Sequence, residues 1–325
     1  MYGILWCRAL QPRTAQLPRP RANRGPNVGT FSMWYARDRR YILLETIDAW
    51  AECLNTSTVD GMIRLELFVT SNLQLKKVKD RSEMVVKVYG ERMSEPSRAV
   101  IIFCKVNGIE FEEIEIDVLK NQNYSPEYKE INPMNQIPAI VDGDLKLFES
   151  HAILIYLSCA FPQVASHWYP SDVYKRAKIH SVLDWHHSFL RRGAAGFVFN
   201  SLLAPLSGIR SYPQVIIQAE EILLRSLSKL EHTWLKDGPF LAGNSQPSIA
   251  DLILACEIMQ LELLSEKDHD RILGPYMKVL QWVEDTKSAT APHFDEVHEL
   301  LFESQKRFRE QRATKSRKTQ VKSKM

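Results

Sequence analysis

Apolar and polar positions along the chain divide it into two parts with different periods. Val85-Val86-Lys87-Val88-Tyr89-Gly90 is a compact apolar run closed by glycine, which predicts a strand. Apolar residues from Ala99 to Lys105 then recur at helical spacing until Asn107-Gly108 stops them. Phe111-Glu112-Glu113-Ile114-Glu115-Ile116 alternates like a half-exposed strand. Ala139 to Val141 and Leu145 to Phe148 are short apolar runs, and Asp142-Gly143-Asp144 between them carries the turn chemistry of a hairpin. A helical run follows from Ala152 to Cys159. Beyond Phe161-Pro162 the strand pattern disappears. Ile216, Ala219, Leu223, Leu227, Leu230 and Trp234 form the stripe of a packed helix. Ser248 and Asp251, spaced as a capping box with Asp in place of Glu or Gln, open a further helix from Leu252 to Leu264.

Strand, helix and strand with a helical crossover imply a parallel pair. The hairpin and its helix extend the order to β-α-β followed by β-β-α, which resembles the thioredoxin-like arrangement. Ile137-Pro138 stands directly before the third strand, where such folds carry a cis-proline. A cis bond there turns the N–H and C=O of Ile137 outward, free to pair with an extended peptide. The expected organisation is an extension outside the folded unit over residues 1–83, an α/β thioredoxin-like domain over 84–163, an all-α domain over 171–305 and a basic flexible tail over 306–325.

Composition narrows the class. Apolar residues make up 45% and charged residues 25% of 325 positions, the proportions of a globular protein. No run approaches the roughly 18 apolar residues of a membrane span. The five cysteines are scattered and none forms Cys-x-x-Cys, which argues against a zinc site and a dithiol redox motif. The formal net charge is only +3 but falls unevenly. The first forty residues are rich in Arg and Pro with Asp38 as their only acid, the composition of an organellar transit peptide. From Gln311 onward there are six Lys or Arg and no acid, without the aromatic platform that nucleic-acid binding would need. The final Ser323-Lys324-Met325 is a variant of the Ser-Lys-Leu peroxisomal address, with the cytoplasm as the alternative compartment.

Candidate chemistry gathers at helix starts. Glu149-Ser150 ends the hairpin and opens a helix, so its first N–H groups offer a carboxylate site. Ser94, two residues before Pro96, marks another helix start and reads either as a simple cap or as a functional hydroxyl. His180, His186 and His187 lack a carboxylate or Cys at ligand spacing, so no metal is expected. Cys104 and Cys159 fall on apolar helix faces and read as small core residues, and Trp185, Trp234 and Trp282 as packing.

Ser94, Ile137-Pro138 and Glu149-Ser150, followed by a helical domain with Ser248-x-x-Asp251, resemble the glutathione S-transferases. Met93-Ser94-Glu95-Pro96-Ser97-Arg98-Ala99 and Leu190-Arg191-Arg192-Gly193-Ala194-Ala195-Gly196 are similar to the plant theta class in particular. The resemblance covers roughly residues 84–305. It implies that Ser94 is catalytic, with Ser97 as the runner-up hydroxyl. It implies that Ile137 and Pro138 clamp the cysteinyl part of glutathione and that Glu149 and Ser150 hold its γ-glutamyl end. Asn123 and Gln136 fall at the glycyl carboxylate, where these two amides replace a more basic or imidazole side chain of related proteins, and Tyr124 is a further glutathione-binding residue. Glu95 is placed among the glutathione-binding residues; it stands where many relatives carry Gln, and its charge opposes a thiolate unless it points to solvent. Arg191 and Arg192 are placed at the electrophile pocket or, equally, at a solvated helix end.

The activity implied is conjugation of glutathione, as co-substrate and without a cofactor, to electrophiles in detoxification, together with reduction of organic hydroperoxides by a homodimer. A serine at the positive end of a helix stabilises the substrate's thiolate without itself acting as nucleophile. A non-catalytic protein that binds glutathione or hydrophobic ligands, or an interaction scaffold, would keep the same fold.

Overall fold

The structure is a computed structural model that describes residues 85–322, with side chains as far as residue 312. The extension over 1–83 and the terminal Ser323-Lys324-Met325 lie outside the described residues.

Strand β1 (Val86–Gly90) pairs in parallel with β2 (Phe111–Glu115), joined by helix α1 (Glu95–Val106). After the short helix α2 (Pro126–Lys129), β3 (Ala139–Asp142) runs antiparallel to β1, with Val88 opposite Ile140, and pairs with β4 (Leu145–Phe148). The sheet order is β2-β1-β3-β4. Gly143 takes φ 59° in the hairpin turn, a conformation glycine adopts without Cβ strain. Helix α3 (Ser150–Ala160) leads out of the sheet. The thioredoxin-like order expected from the apolar runs is therefore present, including a cis bond at Ile137-Pro138.

The central strand and α1 form the heart of this half. Val86, Val88 and every residue from Ala99 to Cys104 are fully buried. Helix α1 is covered on both sides because the sheet packs on one face and the helical half on the other. That half comprises α4 (Val173–Trp185), α5 (Arg191–Val198), α6 (Pro213–Lys229), α7 (Ile249–Met259), α8 (Glu266–Leu273), α9 (Met277–Ala289) and α10 (His293–Lys322). Among the described residues no strand follows β4 beyond a single bridge between Phe240 and Asn244. Helix α7 is buried along its whole length and begins three residues earlier than its apolar run suggests.

Its start is set by Asp251, whose Oδ2 accepts from the Ser248 N–H and Oγ–H, both at 2.7 Å. The other oxygen accepts from Leu241 N at 2.8 Å and from the Trp282 indole at 2.9 Å. Trp282 is thus core packing with a polar anchor, and Trp185 lies against Trp234 with ring centroids 5.9 Å apart. Glycine matters where α5 crosses α6. A Cβ on Gly193 would lie 2.5 Å from the backbone nitrogen of Leu223.

Two expectations are corrected. Residues 306–322 continue α10 and do not form a separate flexible tail. Their Lys, Arg, Gln and Glu are good helix formers, and Phe308 packs against the core, so helix and packing both run past residue 305. Cys104 is buried as expected, but Cys159 is exposed on the outer face of α3. No helix among the described residues is long and apolar enough to cross a membrane.

Candidate functional site

The loop before β3 is held open by side chains that take its carbonyls. The Tyr128 hydroxyl donates to the Gln136 carbonyl at 2.6 Å, and Asn132 Nδ2 donates to the same oxygen at 2.7 Å. Asn123 Nδ2 donates to the carbonyl of Asn135 at 2.8 Å, where Asn135 itself sits at φ 56°. Among the described residues no side chain or turn claims the backbone of Ile137, the residue on the cis bond. Ile137 borders the cavity beside Pro138.

Glu149 stands at the other side of the same floor with φ 70° and ψ 110°. A non-glycine residue held there stores about 1–3 kcal/mol of strain, which surrounding structure must compensate. Its carboxylate does not cap α3, so both that group and the first N–H groups of α3 at Ser150 remain available to a ligand.

Ser94 is the residue before α1, with extended backbone (φ −80°, ψ 122°) and Pro96 in the first turn. Its side chain makes no capping hydrogen bond, which decides against the reading of Ser94 as a simple cap. Ser97, the runner-up hydroxyl, does not line the cavity that Ser94 borders. It is fully buried and packed under β1, where a Cβ on Gly90 would come within 2.8 Å of its Oγ. The position of Ser94 is secured from below by Arg98, a fully buried guanidinium. Arg98 Nη1 donates to the carbonyls of Arg92 and Met93 at 3.0 and 2.9 Å. Its Nη2 donates to the Cys256 carbonyl at 3.1 Å and to Gln260 Oε1 at 3.0 Å.

Beside Ser94 lies a buried charged wall. Glu95 does not point to solvent, the condition under which its charge would leave a thiolate undisturbed. It is 9% exposed and lies 4.0 Å from Arg191, which also donates to Glu257 Oε2 at 2.9 Å. Burial, then the neighbouring carboxylate of Glu257, pushes the Glu95 carboxyl above its ordinary range, while Arg191 and Arg98 oppose that shift. Glu257 is raised in the same way, with Arg191 opposing. His186 Nε2 lies 3.3 Å from Glu257, and His186 Nδ1 lies 3.1 Å from His151 Nε2. Burial first, and neighbouring cationic groups second, hold both imidazoles well below the usual histidine range, so they are neutral at physiological pH.

These features border one cavity of about 1110 Å³. Ser94, Glu95, Asn123, Tyr124, Gln136, Ile137, Pro138, Glu149, Ser150 and Arg191 all line it. Arg192 does not, because it lies one residue further round α5 on the exposed face. Asn123 is buried with one amide N–H spent on the loop and its Oδ1 shielded, so its clearest work is to fasten Asn135. The opposite wall contains residues that sequence reasoning missed. Phe199 and Leu203, in a π-helical turn after α5, and Arg307 and Phe308 of α10 face the cavity. Only the apolar cluster Phe199–Leu206 carried a readable signal. Arg307 and Phe308 sit in a stretch whose polarity hides its contact.

The model of the glutathione S-transferase N-terminal domain matches residues 84–158. The chain is 62% identical over 230 residues to glutathione S-transferase T1 of Arabidopsis thaliana, spanning 70% of this chain and 94% of that one. It is 41% identical over 178 residues to human glutathione S-transferase theta-2, spanning 54% and 72% respectively. Among solved structures, human glutathione transferase theta-2, in complex with glutathione and an unknown ligand, matches with a TM-score of 0.63. That match has 33% identity and covers 70% of this chain and 91% of the other. With the sheet order, the cis-proline loop and the helical half in place, the chain belongs to the glutathione S-transferase family, in its theta class of plant type.

Proposed function

We propose that this chain conjugates glutathione to electrophiles and uses the same thiolate to reduce organic hydroperoxides, with Ser94 as the group that holds the sulfur anionic. The observation that carries this reading is the Ser94 hydroxyl, unspent on its own helix and lining a cavity shared with Ile137 and Glu149-Ser150. A free thiol has a pKa of about 8.5 and is mostly protonated at neutral pH. A donated hydroxyl hydrogen bond at the positive end of α1 favours the anion. Two pKa units correspond to about 2.7 kcal/mol, within reach of one charge-assisted hydrogen bond plus the helix end.

In this reading the backbone of Ile137 pairs with the cysteinyl residue. Glu149, Ser150 and the start of α3 receive the α-carboxylate and ammonium of the γ-glutamyl end. Tyr124 and Gln136 border the glycyl end, and Arg191 borders the electrophile. Conjugation forms a carbon–sulfur bond and expels the leaving group with the thiol proton. Peroxide reduction consumes two thiols, yielding one disulfide, one alcohol and one water. The working unit is a homodimer, which light scattering tests directly; a monomer mass would refute it.

The decisive assay compares the protein with Ser94→Ala, using glutathione with cumene hydroperoxide and with an alkylating electrophile. The expected loss is about 10- to 100-fold in kcat/KM, the value of one hydrogen bond to a charge. The thermal melt should stay unchanged. Equal rates in the two proteins would remove Ser94 from the reaction. Binding of glutathione without any rate above solution would favour the non-catalytic ligand binder.

A further inference from the structure

His151 is the second residue of α3, and His186 and His187 open the π-helical turn after α4 (His186–Leu190). His151 and His186 lie 35 residues apart in sequence, and the fold brings their rings together at a tilt of 41°. The His151 ring centroid is 4.1 Å from that of His187 and 5.2 Å from that of His186. One nitrogen from each of the three side chains lies within 4.8 Å of the other two.

We propose that His151, His186 and His187 form a three-imidazole site for a divalent transition-metal ion of the zinc class in the wall of the cavity. Tetrahedral zinc holds imidazole nitrogens at about 2.0–2.1 Å, which places two such ligands roughly 3.3 Å from each other. His151 Nε2 and His186 Nδ1 already stand 3.1 Å apart. His187 is exposed, so its ring is free to close the remaining distance.

The support behind the ligands points the same way. His186 turns its other nitrogen to Glu257 at 3.3 Å, and Arg191 anchors that carboxylate at 2.9 Å. A ligand imidazole backed by a carboxylate is the usual second layer of a metal site, fixing ring and tautomer. With Nε2–H directed at Glu257, His186 Nδ1 presents a lone pair toward His151. In the metal-free protein the His151 Nε2–H fills that gap. Metal takes its place when His151 shifts this proton to Nδ1, with no net proton released. Three nitrogen donors without a carboxylate ligand suit zinc, copper or nickel and reject magnesium and calcium. His186 and His187 both line the cavity, so the fourth coordination position opens onto it.

The test uses the full, tag-free chain stripped by a chelator and titrated calorimetrically with Zn²⁺ and, separately, with Mg²⁺. One zinc per chain and no heat with magnesium are expected. His187→Ala and His186→Gln should each weaken zinc at least tenfold. His180→Ala should leave it unchanged, because that ring is engaged elsewhere with the Tyr169 hydroxyl at 3.0 Å. The Cu²⁺-loaded protein should show hyperfine splitting from more than one imidazole nitrogen. His187 is on the surface, so His187→Ala remains informative even where His186→Gln fails to fold. Absence of zinc binding, or zinc affinity that His187→Ala leaves intact, would overturn the site.

Discussion

Arg98 reaches the carbonyl of Met93 at 2.9 Å, so a buried charge in the first helix holds the residue immediately before Ser94. The same guanidinium grips Cys256 and Gln260 in the helical half. Arg98→Met keeps the bulk and strands four acceptors. Breaking a buried charged network by removing one partner costs about 3–5 kcal/mol. Chemical denaturation should show a loss of that size, and glutathione turnover should fall with it because the loop carrying Ser94 loses its support. A stability change under 1 kcal/mol would show that these bonds contribute little.

Gly193→Ala tests the crossing of α5 and α6. The added methyl would meet backbone at 2.5 Å, where no flexible side-chain end can yield. Overpacking of this kind costs about 1–3 kcal/mol and sometimes more. The melting temperature should drop measurably, while Gly196→Ala, with its nearest neighbour at 3.5 Å, should be tolerated.

Acid sensitivity follows from His298. Its Nδ1–H donates to the Phe294 carbonyl at 2.7 Å. Burial, helped by Arg98, pushes its pKa down to about 3. The unfolded chain binds a proton here below about pH 6.5 and the folded chain does not, so stability falls as pH drops from 6.5 toward 3. At pH 5 the difference of about 1.5 units amounts to roughly 2 kcal/mol. His151 and His186 act with the same sign. His298→Gln removes one contribution, so the fall in stability between pH 7 and 5 should shrink by about that amount. An unchanged pH profile would mean that His298 is not held neutral.

Glu95→Gln addresses the charge beside Ser94. The carboxylate shares Arg191 with Glu257. Removing it leaves Arg191 to Glu257 and takes a negative charge from the cavity wall. The ultraviolet titration of bound glutathione should move to lower pH, by under about one unit at protein-like dielectric. A shift to higher pH would mean that Glu95 favours the thiolate.

How much of this was readable depended on sequence distance. Ser248 and Asp251 are three residues apart, and a capping box needs no tertiary information, so it could be read directly. Ile137-Pro138 and the Asp142-Gly143-Asp144 turn are local for the same reason. Arg98 and Gln260 are separated by 162 positions, and nothing in the polar first turn of a helix announces a buried guanidinium. The same holds for Glu95, which was expected to need solvent and is instead buried 4.0 Å from Arg191. His151 gave no hint of His186, since the two meet only when α3 packs against the helical half. Helix α10 was cut short because Arg, Lys and Gln read as solvated, although Arg307 and Phe308 reach the cavity.

The hydroxyl of Ser94 supports nothing around it. Its helix starts with Pro96 in the first turn and without a side-chain cap. Its backbone serves the fold, with the Arg98 N–H donating to its carbonyl at 3.0 Å, while its hydroxyl is left out of that work. Under the proposed role, a change of that hydroxyl alters the reaction and spares the helix start, so this is a place where the scaffold can drift toward new chemistry while its architecture stays as it is.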